Sequence, residues 1–145
     1  MNLKTLIAGI LGLLLAFSNA SAGGDGAMAS KHMVVMLTEA SVVKAGFGLA
    51  VANAMQDAGV KSTVFISADA VDFVYKKGTQ PTFAGSTPRA LMQALIGKGG
   101  KVMICEGFVK LRGIKPSDMV EGIRVAAPAD LAGALFAPDT QALTF

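Results

Sequence analysis

One cysteine, one histidine and no block of like charge occur in these 145 residues. Each shortage excludes a class of protein. A lone cysteine, Cys105, rules out an internal disulfide and any C-x-x-C pair, and with them a thioredoxin-like dithiol cycle. A lone histidine, His32, far from any evident triad partner, gives hydrolytic catalysis little to rest on. The net charge is only +3, and its excess is spread along the chain. Nucleic-acid recognition usually needs a clustered basic surface, so no nucleic-acid partner is expected. Heptads and internal repeats are lacking too. No apolar run reaches the roughly 20 residues of a spanning helix.

What is present begins with a leader pattern. A short positive start is followed by a nearly unbroken apolar run over residues 3–17. Ala20-Ser21-Ala22 then offers a small-x-small cleavage site before Gly23. This order predicts a cleaved secretory signal over residues 1–22, a periplasmic or otherwise exported protein, and no membrane attachment after cleavage. Residues 23–32 read as a flexible lead-in, Gly-rich at its start. The folded domain then spans residues 33–145.

Within it, strands and helices alternate. Residues 33–37 (MVVML) suit a strand buried on both faces. Over residues 41–58 the apolar positions Val43, Phe47, Ala50, Val51, Ala54, Met55 and Ala58 recur at helical steps, and Gly59 follows as a terminator. Residues 60–66 form a second strand rich in β-branched side chains. Asp69 is placed to cap a short helix over residues 70–77. A loop over residues 78–86 leads to Thr87-Pro88, a helix start with an N-cap residue before a first-turn proline. Leu91, Leu95 and Ile96 give that helix its apolar face. Residues 102–104 form a third strand, 108–111 a helical turn and 116–122 a short helix. Residues 123–126 make a fourth strand, 128–136 a helix and 142–145 a fifth strand. This alternation predicts an α/β fold with a mostly parallel sheet of about five strands and helices on both faces.

Parallel α/β sheets bind ligands outside the carboxyl ends of their strands, and Cys105 falls at such an end. Two readings stand for it. One is a small buried hydrophobe. The other is a nucleophile whose thiolate is favoured by a helix N-terminus, with Lys110 and Arg112 adding to the effect and Glu106 opposing it. The location favours the second. Glu106 and Gly107 complete its immediate surroundings. Ser41 and Lys44 follow the first strand and border the same sheet edge, although helix-start and solvated roles also suit them. Arg89, beside the long loop that carries Phe83, is a candidate for binding an anionic sulfur species. A soft-metal set of Cys105, Met103 and His32, with Met33 and Met36 nearby, would suit Cu(I), but methionines at apolar positions are usually core filling. Gly46-Phe47-Gly48 lies inside a helix and reads as close packing rather than a dinucleotide turn.

The segment VMICEGFVKLRGI (residues 102–114) resembles the DsrE/DsrF-like sulfur-relay family. The step Asp118-Met119-Val120-Glu121-Gly122, the run Ala129-Asp130-Leu131-Ala132 and the close Ala142-Leu143-Thr144-Phe145 fit the same pattern. So do the order of the early elements and the stretch VKSTVFISADAVDFV (residues 60–74). The resemblance covers residues 33–145. It implies a three-layer α/β/α sandwich and assembly as a homotrimer or homohexamer. It also implies a persulfide-carrying cysteine at Cys105, passing sulfur between donor and acceptor proteins or small sulfur species, with no cofactor. Loops such as residues 78–89 would pack against neighbouring subunits. An export signal departs from the mostly cytoplasmic relay members. The alternatives are an oligomeric copper-binding module and a structural member without transfer activity.

Overall fold

A computed structural model describes residues 24–145. The signal reading for residues 1–22 lies outside the described residues. Within the stretch read as a lead-in, Gly24–Met28 forms a short helix, α1. Strands β1 (His32–Leu37), β2 (Lys61–Ile66), β3 (Lys101–Cys105), β4 (Arg124–Ala126) and β5 (Thr140–Thr144) build one sheet. Its order is β4-β3-β2-β1-β5, and every pairing is parallel. Between the strands run α2 (Val42–Asp57), a 3-10 helix (Ala68–Val74), α3 (Pro88–Gly97), α4 (Glu106–Arg112), a second 3-10 turn (Pro116–Asp118) and α5 (Pro128–Leu135).

Handedness sets the layers. From β1 to β4 the chain steps always in one direction, so right-handed crossovers put α2, α3 and α4 on one face. From β4 to β5 it steps back across the sheet, which sends α5 to the other face. The larger core lies on the first, or front, face. There Val35, Leu37, Val64, Ile66, Val102 and Ile104 meet Ala45, Leu49 and Ala52 of α2 and Met92 and Leu95 of α3. Phe108 and Val109 of α4 pack on the same cluster. The back face holds a smaller cluster of Phe65, Met103 and Ala126. The result is a three-layer α/β/α sandwich, with a thick front layer and, among the described residues, one helix behind.

Local signals set most helix ends. The Ser41 hydroxyl accepts the Lys44 amide and opens α2. The Thr87 hydroxyl does the same for α3 through Ala90. Gly59, at φ 87°, takes the left-handed turn that closes α2.

Two expectations are corrected. Residues 70–77 do not form a helix capped by Asp69. The 3-10 helix begins at Ala68, and the Asp69 amide donates to the Thr38 carbonyl at 3.1 Å. The chain is still tied there to the end of β1, which leaves room only for a tight coil. The buried face of α2 is also not the expected one. Ala45, Gly46, Gly48, Leu49, Ala52 and Asn53 are buried, while Val43 and Phe47 are 62% and 50% exposed. The helix is apolar nearly all round, so its own pattern does not select the side that meets the sheet.

Candidate functional site

β3 carries its side chains to alternate faces, so Val102 and Ile104 enter the front core while Met103 and Cys105 face the back. Cys105 ends the strand, pairs with Ala126 of β4 and sits at the N-cap of α4. Its thiol makes no capping hydrogen bond, so the sulfur is not consumed in holding the helix. The residue is half-buried. Its inner side rests on Phe65, Met103 and Ala126, a bed to which Met36, Leu131 and Ala134 also contribute. The second residue of α4 is Gly107, where a Cβ would stand 3.8 Å from the sulfur. Glycine there keeps side-chain bulk away from the thiol.

The charged neighbours in sequence are matched among themselves. Glu106 pairs with Lys110 at 2.6 Å, one helical turn on. Arg112 pairs with Asp72 at 2.6 Å. The expected contribution of Lys110 and Arg112 to the sulfur is therefore balanced by carboxylates. The chemistry left to the site is that of an unbonded thiol with one apolar wall and one side free of bulk.

The other candidates have local duties. Ser41 caps α2. Lys44 pairs with Glu39. Arg89 is engaged locally: Nε donates to the Tyr75 carbonyl and Nη2 to those of Lys77 and Gly78, each at 2.9 Å. These bonds tie down the 75–78 segment, which gives Arg89 a structural duty beside the loop. The copper set is not assembled either. Strand register places Cys105 one step beyond the level of Leu37, whereas His32 opens β1. Six residues of strand span about 20 Å, too far for one metal ion. Met103 does share the face of Cys105, but it is only 4% exposed and serves as core. The loop residue Phe83 packs on Gly46 of its own chain.

Sequence reasoning missed Phe65, Ala126, Leu131 and Ala134. They belong with Cys105 to the back-face cluster and come from three other elements, β2, β4 and α5. Period-two alternation in β2 was the one available signal, and it needs the sheet order to be useful.

A parallel α/β sandwich with a free thiol at the carboxyl end of an interior strand defines a cysteine-centred α/β protein. The model of the DsrE/DsrF-like family matches residues 31–145, and the chain belongs to that family, which is linked in general to sulfur relay. Among solved structures it is similar to the ychN protein from E. coli, with a TM-score of 0.67 and 21% identity, covering 79% of this chain and 98% of that one. It is similar also to MTH1491 from Methanobacterium thermoautotrophicum, a protein of unknown function. There the TM-score is 0.63 and the identity 16%, over 79% of this chain and 99% of the other. No curated protein matches the chain.

Proposed function

We propose that this protein is an exported sulfur carrier that holds sulfane sulfur as a persulfide on Cys105. The half-buried thiol at the sheet's carboxyl edge, free of hydrogen bonds to its helix and flanked by Gly107, carries the reading. Membership of a family linked to sulfur relay supports it. In the transfer, the Cys105 thiolate attacks the terminal sulfur of a donor persulfide. One S–S bond forms on Cys105 as the donor's S–S bond breaks, and the donor leaves as a thiolate. An acceptor thiolate repeats the exchange and restores Cys105. No external oxidant or cofactor is needed. Donor and acceptor are proteins or small sulfur species.

Export rests on the leader pattern of residues 1–22. We also propose assembly as a homotrimer or homohexamer. The apolar stripe of Val43 and Phe47, which α2 turns away from the core, supports a covered surface there.

Intact mass after incubation with a polysulfide donor tests the carrier reading, wild type beside Cys105→Ala. The expected result is a gain of one sulfur atom that a thiol reductant reverses and the variant lacks. An unmodified wild-type protein whose Cys105 also alkylates slowly would overturn it and leave a structural cysteine.

A further inference from the structure

Four of the five strands open on a basic or imidazole side chain: His32 on β1, Lys61 on β2, Lys101 on β3 and Arg124 on β4. The registers are His32 with Lys61, Thr63 with Lys101, and Met103 with Arg124. Each even step keeps the same face, so all four residues lie on the back of the sheet, below Phe65, Met103 and Ala126. Among the described residues, the helix over that face is α5. Between it and the strands lies a cavity of about 340 Å³ whose lining includes His32, Thr63, Lys101, Met103, Arg124 and Asp130. An adjoining hollow of about 220 Å³ shares His32, Thr63 and Lys101 and adds Lys61.

The charge balance in this hollow is positive. Among the described residues, Lys61 and Lys101 have no carboxylate within 4.0 Å, whereas Lys31, Lys44, Lys98 and Lys110 each pair with one and Arg112 with two. The one acid in the lining is Asp130. Its Oδ2 accepts the Ala127 amide at 2.9 Å, and its Oδ1 stands 3.9 Å from Arg124, a loose pairing. Three cations therefore face a single carboxylate that is already hydrogen-bonded. The buried Met103 on the cavity floor limits hydration on that side, which strengthens attraction to an incoming anion.

We propose that this cavity is an anion site, separate from Cys105, that takes a small molecule bearing a phosphate or sulfur-oxyanion group. Lys101 and Arg124 hold the anion, Thr63 offers a hydroxyl donor and Lys61 attracts it at the mouth. Cys105 does not line the cavity. Lys101 precedes it by four residues of β3, about 13 Å along the strand.

Titration calorimetry of the full chain at low ionic strength tests the site, with inorganic phosphate and thiosulfate as separate probes. Saturable binding of at least one probe is expected, weakening as sodium chloride is added. Lys101→Gln and Arg124→Gln keep much of the side-chain bulk and drop the charge. Each should weaken binding by about tenfold or more, with an unchanged circular dichroism spectrum. Asp130→Asn keeps an oxygen for the Ala127 amide and should tighten binding. Cys105→Ala should leave it unchanged, so failure here is distinct from failure of the carrier reading. Stronger binding of thiosulfate would assign a sulfur oxyanion, and stronger binding of phosphate a phosphoryl group. Absence of saturable heat with both probes, or wild-type affinity in both Gln variants, would overturn the proposal.

Discussion

Cys105 combines two features that usually oppose each other. Its inner side rests on an apolar bed, yet the residue is half-buried rather than sealed, and no hydrogen bond ties it to the helix it caps. A core cysteine would be costly to remove. Here only part of a small side chain is withdrawn from water, at about 0.8 kcal/mol per buried methylene. Cys105→Ala should therefore change the unfolding free energy in urea by about 1 kcal/mol or less, and a loss several times larger would mark a structural residue. Gly107 supplies the complementary test. A methyl group there would touch the sulfur at 3.8 Å without displacing it. Gly107→Ala should leave stability within about 1 kcal/mol of wild type while slowing alkylation of Cys105 by iodoacetamide. Equal alkylation rates would show that approach to the sulfur does not pass over residue 107.

Helix α2 shows what neighbours impose on an element. Its small residues let other segments come close. A Cβ on Gly46 would collide with the Cβ and Cγ of Phe83, at the root of a ring, whereas one on Gly48 would meet the side-chain ends of Leu37 and Phe145 at 2.9 Å and of Val35 at 3.2 Å. Side-chain ends can rotate aside, and a ring root moves only with its backbone. Gly46→Ala should thus cost about 1–3 kcal/mol and shift the loop around Phe83. Gly48→Ala should cost less. Thermal unfolding of the pair decides this, and equal losses would show that the Phe83 loop yields freely. Gly46-Phe47-Gly48 is a close-packing step, with Phe83 against the first glycine and Leu37, Val35 and Phe145 against the second. The same helix exposes Val43 and Phe47, with the Phe47 ring edge-on to Phe145 at 5.6 Å.

The whole molecule is asymmetric front to back. Among the described residues, three helices on one face bury the interior strands, and one helix leaves the other face with a basic hollow. At the rims, β4 has three residues and β5 pairs on one side only. Local opening follows burial and ladder support. Amide exchange should therefore be slowest in β1, β2 and β3 and fastest in β4 and β5. An edge strand as protected as β1 would show that another copy covers that edge, and sedimentation of the same sample would then give its stoichiometry.

The sequence by itself determined the alternation of strands and helices, the parallel sheet with helices on both faces, and the place of Cys105 at a strand end. These follow from neighbouring residues: β-branched runs, the caps Ser41 and Thr87, the turn at Gly59 and the proline starts at Pro88 and Pro128. Tertiary structure alone decided the strand order, the buried side of α2, the coil at residues 68–74, the engagement of Arg89 by three carbonyls and the separation of His32 from Cys105. Each of these depends on which distant segment lies alongside. A helix apolar on every side, a guanidinium with several carbonyls in reach, or a histidine at the far end of a strand has no local preference strong enough to choose. The long-range pairing of parallel strands makes the choice, and it is the same pairing that sets Phe65 and Ala126 in the cluster on which Cys105 rests.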